Sequence, residues 1–489
     1  MKEDLTIEEI KELCDADPEN VELKEKLFLE LFNGERDKDE LTSYLKKIRN
    51  LYELDKNNTT IRELFAIGLR LALEAEEPEE PENLLNEIQS LYELDEKNIF
   101  IRTQLALALA SYTLETDLEL TKEVVEKIKS LYEKDQENST IREAYAYGLV
   151  NITWETNQDA ILSNSKKIET LYNKEPDNHT IREYLAQAFA NGFIDFNQNS
   201  SLVFFEKIQN LYEVDQNNVG IRRILADVIS KATVSCDSQS QFMLIEKLQS
   251  LFEVDPENDE IKESFSIALY NASFDYNGKE TIIFIDKIQR LHESAPDNNS
   301  IKELLAGCLY NASVYADIET VTEFISRLQQ LFDSGPENFT IGEYLAKSLY
   351  NLSVDADLEL KQQILRKVEN LYERDLDGQM GGMALAGCLY EFTRASGSLD
   401  FQELIIRLLN LHETEPEDDQ IRELLAKSLA TYLYYIYGEQ RTTYLEKLKV
   451  LKRNWPDDSY WQDITNYFAS KEDKSWKFPA DFFRGQIKN

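Results

Sequence analysis

Histidine and cysteine are scarce: 489 residues contain three of the one and four of the other. Cys14, Cys236, Cys308 and Cys388 stand far apart with no C-x-x-C spacing, so neither a disulfide framework nor a zinc site is supported. His179, His292 and His412 form no H-E-x-x-H, and neither a Cys–His pairing nor a phosphate-cradling glycine loop can be read. Carboxylates are plentiful, but they fall on a repeated polar face and so are no sign of acid–base chemistry. The expectation is a non-enzymatic chain with no cofactor and no metal. Positive charge is also short: Lys and Arg number 53 against 92 Asp and Glu, a formal net charge of −39. That sign is wrong for neutralising phosphates or for anionic lipid, so neither nucleic acid nor membrane is an expected partner. The acidic surplus reads as a solubilising surface, the sharper alternative being a groove for basic partners or a mimic of nucleic acid. Long apolar runs are missing too: no stretch approaches the roughly eighteen residues of a membrane span. The opening MKEDLTIEEIKELC is polar, without the apolar core of a secretion signal, so a cytoplasmic location is expected.

What the chain has in abundance is repetition. A leucine returns every forty residues, at Leu51, Leu91, Leu131, Leu171, Leu211, Leu251, Leu291, Leu331, Leu371, Leu411 and Leu451. A fixed period of this length overrides the several domains that length alone suggests and points to one elongated array. Each unit reads as two helices. In the third, Ile141, Tyr145, Ala146 and Leu149 share one helix face, while Val124, Val125, Ile128 and Leu131 mark the helix before it. Thr140 with Glu143, like Thr60 with Glu63 and Thr180 with Glu183, has capping-box spacing. Asn138 and its equivalents suit the left-handed conformation that closes a helix, and Pro176, Pro256, Pro296, Pro336 and Pro416 enter the same turn.

Two columns dominate the first helix. Ala66, Ala106, Ala146, Ala186, Ala226, Ser266, Ala306, Ala346, Ala386 and Ala426 hold a small residue at its middle, which implies a close helix crossing. Four residues earlier runs a basic column from Arg62 to Arg422, interrupted by Gly342 and Gly382. The turn loses its acid at Gly335 just before the basic column breaks at Gly342, which suggests a bridge within one repeat, such as Asp135 with Arg142. An exposed bridge of that kind is worth about 0 to 1 kcal/mol.

A small residue in the first helix, and a second helix ending in Leu-Tyr-Glu-x-Asp-Pro-x-Asn, resemble the tetratricopeptide repeat from Asp17 to about Ser470. The unit here is forty residues against about thirty-four in that family, and the basic column replaces its aromatic. The fold class expected is an all-α right-handed solenoid of about eleven helix-turn-helix units with half-repeat caps. A capping helix is assigned to 1–19, the solenoid to 20–456, and a capping helix with an aromatic tail to 457–489. Trp476, Phe478, Phe482 and Phe483 in that tail read either as a cap over the last helix or as a ligand for a partner.

The first helix lines the concave side in that family, so the resemblance implies that residues near its end face a groove. Asn151, Asn191, Asn271, Asn311 and Asn351 form one column there, and Tyr270, Tyr310, Tyr350 and Tyr390 another beside it. An amide can donate to and accept from a peptide backbone, and tyrosines offer rigid amphipathic area. The alternative is that these residues bridge neighbouring repeats or cap the helix. The function expected is a scaffold that binds a partner protein or extended peptide on the concave face. The rival is a regulatory or sensor subunit whose superhelix changes shape on ligand binding, with the glycine-rich stretch Gly378 to Gly382 as its joint.

Overall fold

The structure, a computed structural model, describes residues 45–464 apart from 47, 51, 76–79, 115, 194–198, 276–278, 315, 375–381, 396–400 and 437. The N-terminal cap at 1–19, most of the glycine-rich stretch and the aromatic tail lie outside the described residues. The chain forms two compact units, divided in sequence between Ser235 and Cys236. The first unit contains α1 (Thr59–Leu73), α2 (Pro81–Leu94), α3 (Ile99–Tyr112), α4 (Leu118–Lys134), α5 (Ser139–Ile152), α6 (Gln158–Lys174), α7 (His179–Gly192), α8 (Asn199–Val214) and α9 (Val219–Ala232), with further helical residues before Thr59. The second contains α10 (Ser238–Val254), α11 (Asp259–Asp275), α12 (Lys279–Ser294), α13 (Asn299–Ser313), α14 (Ile318–Asp333), α15 (Phe339–Asp355), α16 (Leu358–Arg374), α17 (Gly382–Ala395), α18 (Phe401–Thr414), α19 (Asp419–Tyr435) and α20 (Gly438–Asn454). The described residues form helices and turns without a strand.

Within each unit the helix that follows the Asp-x-x-Asn turn packs against the helices before and after it and against its counterpart in the next repeat. The small-residue column lies at that contact: all ten residues from Ala66 to Ala426 are 0% exposed, Ser266 included. A larger side chain there would push neighbouring helices apart, so the column sets the stacking distance. Helix pairing, the small column and the turn make the chain an all-α helical repeat with a forty-residue unit.

The turn works differently from the expectation. Asn138 has φ −75° and ψ 109°, extended rather than left-handed, and its side chain accepts from Ile141 N, so it opens α5 instead of closing α4. Asn58, Asn98, Asn178, Asn218, Asn298 and Asn338 do the same for their helices. The Thr140–Glu143 box therefore does not form the cap: α5 has already begun at Ser139, and the shorter reach of the Asn amide oxygen to the third residue satisfies the free N–H first. Asn178 N donates to Glu175 O at 3.0 Å, closing a four-residue turn whose second position is Pro176. Proline's fixed φ suits that position. Asp117, Asn157, Asp237 and Asp317 cap the other helix of their pairs through the same side-chain contact.

The basic column bridges repeats, not its own turn. Arg102 pairs with Asp135 at 3.3 Å and Arg62 with Asp95 at 3.3 Å, while Arg142 pairs with Glu175 and Arg182 with Asp215. The Asp135–Arg142 pairing is thus corrected: each arginine takes the acid of the following turn. It also donates to a carbonyl of its own turn, as Arg102 does to Glu96 O at 2.6 Å and Arg142 to Gln136 O at 2.6 Å. Stacking, unlike chain distance, sets the next turn over the guanidinium. Where that turn carries Trp455 instead of an acid, Arg422 lies 4.9 Å from its ring centroid and bonds Asp458 at 3.3 Å.

Candidate partner-binding surface

The asparagine and tyrosine columns occupy the last turns of the first helix of each pair, and the structure joins them into one device. Asn311 Nδ2 donates to Ser273 Oγ at 2.8 Å, and that hydroxyl donates to Tyr270 O at 2.6 Å. The relay recurs one repeat later, from Asn351 Nδ2 to Ser313 Oγ at 3.2 Å and on to Tyr310 O at 2.7 Å. In the first unit Asn151 donates to Thr113 Oγ1 at 2.7 Å and Asn191 to Thr153 Oγ1 at 2.8 Å. Each amide thus ties the end of its helix to the end of the preceding one. Asn311 is buried, and Asn271 on α11 is half-buried. A neutral buried hydrogen bond contributes about 1 kcal/mol, and an amide left without a partner costs more.

Tyr270, Tyr310, Tyr350 and Tyr390 are half-buried, each on its own helix from α11 to α17. They are seated by the residue that follows in the next repeat. A methyl group added at Gly307 would fall 2.5 Å from the Tyr270 ring, and one at Gly387 would fall 2.6 Å from the Tyr350 ring. Between them Tyr310 stacks on Tyr344, with centroids 5.5 Å apart and planes 23° apart, while Lys347 Nζ lies 6.0 Å from the Tyr310 centroid. Tyr344 OH is 3.3 Å from Tyr270 OH, and burial first, then that contact, drives the Tyr344 phenol upward from its usual pKa. The Tyr344 phenol therefore stays neutral and available as a hydrogen-bond group. Tyr270 also meets Phe274 edge-on at 5.0 Å. Phe274 is 55% exposed and opens a rim with Val314, Ile318, Val354 and Leu358, all exposed.

Tyr344 was not singled out by sequence, nor were Tyr147 and Tyr184, whose rings lie 5.2 Å apart in the first unit. The signal was present: Tyr184 and Tyr344 hold one repeat position, and Tyr147 holds that of Gly307. Burial lifts the Tyr184 phenol to about 12.

The histidines and thiols take structural places. His179 Nδ1 lies 2.6 Å from Asp215, and burial lowers the pKa of His292 and of His412, the latter edge-on to Trp455 at 5.4 Å. Cys308 and Cys388 are buried, and burial pushes their thiols up to about 12, far from reactive thiolates. Among the described residues no three His, Cys, Asp or Glu side chains converge as a metal site, and no helix is long and apolar enough to cross a membrane.

No family model matches the chain, and no curated protein matches it. Among solved structures it is similar to a chain from a study of the phosphorylation switch in the interaction between cadherin and beta-catenin, at 12% identity over 94% of each chain with a TM-score of 0.42. Yeast Tom70 is similar at 13% identity over 95% of each chain, with a TM-score of 0.29. The P58(IPK) TPR domain is similar at 12% identity over 80% of this chain and 99% of that one, with a TM-score of 0.21.

Proposed function

We propose that the chain is a non-enzymatic scaffold that holds a partner protein or extended peptide along the tyrosine shelf of its second unit. The observation that carries this reading is the shelf itself: half-buried rings of Tyr270, Tyr310 and Tyr350, seated on Gly307 and Gly387 and running out to the exposed Phe274, Val314 and Val354. Tyrosine gives large contact area at low entropic cost, and exposed apolar side chains beside it supply the area a partner covers. In this reading Asn271, Asn311 and Asn351 set the spacing of the shelf, and their contribution to a partner passes through the rings beside them, while Asn151 and Asn191 make the same ties between helix ends in the first unit. Tyr390 extends the row toward α19. A net charge of −39 favours a partner with basic residues around its apolar contacts. The partners recovered from cell extract by the wild-type chain are compared with those held by a Tyr270→Ala, Tyr310→Ala, Tyr350→Ala variant of unchanged helicity. Selective loss of a partner supports the proposal. Identical recovery overturns it.

A further inference from the structure

The third repeat breaks the pattern of second helices in one place. The middle of that helix carries two adjacent apolar residues: Val124–Val125 in the repeat before, Phe204–Phe205 in the repeat after, and such a pair elsewhere from Leu84–Leu85 to Leu404–Ile405. On α6 the pair is Asn164–Ser165. The two are as deeply buried as the residues they replace, 6% and 0% exposed. A polar group in such a place costs stability unless something satisfies it. Ser165 Oγ has no hydrogen-bond partner, and Asn164 is met only at its oxygen, by Lys167 Nζ at 3.1 Å.

Beside Asn164 an open cavity of about 480 Å³ lies between α4 and α6, over the end of α5. That volume suits a small ligand. Its apolar floor is Val125, Leu149, Ile152 and Ala160. Its polar wall holds Lys167 and Asn164, with Lys122 already engaged by Glu119 at 2.6 Å, Asn157 accepting from Ala160 N, and Thr156, whose Oγ1 is buried and unpartnered. The acid in the wall, Glu126, is already engaged by Lys129 at 2.9 Å. In a chain with so large an acidic surplus, a cavity where an ammonium and an amide face a short aliphatic floor is an exception that needs a reason. We propose that this cavity binds an aliphatic carboxylate, its two oxygens taken by Lys167 and Asn164 and its methylenes covering Val125 and Ile152. The carboxylate is either that of a free small acid or that of an acidic side chain in a bound peptide. The site lies in the first unit and is independent of the tyrosine shelf.

Two probes separate the sources: glutarate, and a blocked Ala-Glu-Ala tripeptide, with its Ala-Gln-Ala counterpart as control. Binding is read on the full chain by calorimetric titration and by saturation-transfer NMR. Saturable binding of glutarate but not of the glutamate peptide assigns a free acid, the reverse assigns a side chain, and binding of both assigns the shared group. The Asn164→Val, Ser165→Val double variant restores the pair of the preceding repeat. It is expected to abolish binding, because the amide donor is lost, while raising the melting temperature, because an orphaned hydroxyl disappears. Lys167→Met is expected to weaken binding by about tenfold through loss of a charge-assisted hydrogen bond, with a thermal midpoint close to wild type. Should the double variant misfold, Lys167→Met decides alone. Failure of both carboxylate probes at millimolar concentration, equal binding of the glutamine peptide, or binding unaffected by Lys167→Met overturns the proposal.

Discussion

A guanidinium 5% exposed, such as Arg182, is an expensive group to leave alone. It is held by Asp215 from the next repeat and by the carbonyl of Pro176 in its own turn. Breaking a buried pair by removing one partner costs about 3–5 kcal/mol, whereas an exposed pair contributes less than about 1. Arg182→Met is therefore expected to lose about 3 kcal/mol in urea unfolding, and Lys129→Ala, from the exposed Lys129–Glu126 pair, no more than about 0.5. Equal losses would contradict the inter-repeat bridge. The same carboxylates give a pH dependence. The hydrogen bond from Ser139, aided by Asn178 and the charge of Arg142 and opposed by burial, holds the Glu175 carboxyl below its usual range. At Asp215 burial pushes upward, but the hydrogen bond from His179 and the charge of Arg182 outweigh it and the net shift is down. A depressed folded pKa means stability that is complete above the unfolded value, near 4, and lost as pH falls through the folded one. Stability should thus fall between about pH 5 and 3, less steeply in Glu175→Gln than in wild type, by urea titration at stepped pH. An identical slope would remove Glu175 from the account. Both columns were legible in the sequence, as was their joint interruption near Gly335 and Gly342. Which acid belongs to which arginine was not, because a period gives positions along the chain and only stacking decides that the acid thirty-three residues ahead, not seven behind, lies over the guanidinium.

The helices follow from spacing and small residues, and their ends from a single amide. Ala146, at 0% exposure, leaves no room at the crossing of α5 with its neighbours, so Ala146→Leu should cost about 1–3 kcal/mol by overpacking, read as a fall in thermal midpoint. Asn138→Ala removes the acceptor of Ile141 N and should cost about 1 kcal/mol. Asn138→Gly separates the two readings of that residue: a left-handed position would gain from glycine, while an N-cap is expected to lose at most a few tenths of a kcal/mol. Periodicity made both elements of each pair legible, since forty residues of apolar spacing leave little freedom. The turn asparagine was misassigned because Asn serves two backbone roles at a helix junction, and the choice depends on whether its amide reaches forward to the next helix. The candidate site was legible in the same partial way. The asparagine column stood out, but its Ser and Thr partners lie thirty-eight residues back in the preceding helix end, and no local pattern links Asn311 to Ser273. Tyr344 was hidden because its equivalents in the two adjacent repeats are Leu304 and Ala384, so no column of like residues marks it.

Across the whole chain, charge decides how the repeats respond to solvent. Surface ion pairs such as Arg49–Glu87 and Lys134–Glu96 are attractive and weaken with salt, but a formal charge of −39 leaves many carboxylates with no cation to face. Their mutual repulsion acts against the compact state and is screened over roughly 10 Å at 0.1 M ionic strength. The buried bridges, with Arg142, Arg182 and Arg422 each under a tenth exposed, are screened much less. Salt therefore removes more repulsion than attraction. Repeat stacks gain stability from each unit and each interface between neighbours, so a small relief per repeat accumulates along the array. Raising sodium chloride from about 0.02 M to about 0.5 M is expected to raise the calorimetric melting temperature, and Glu175→Gln to respond to salt as wild type does. The affinity of a basic partner on the tyrosine shelf should move the other way, weakening with salt through a slower encounter. A melting temperature that falls with salt would mean that surface pairs dominate over net repulsion, and would remove the acidic surplus as the electrostatic weakness of the fold.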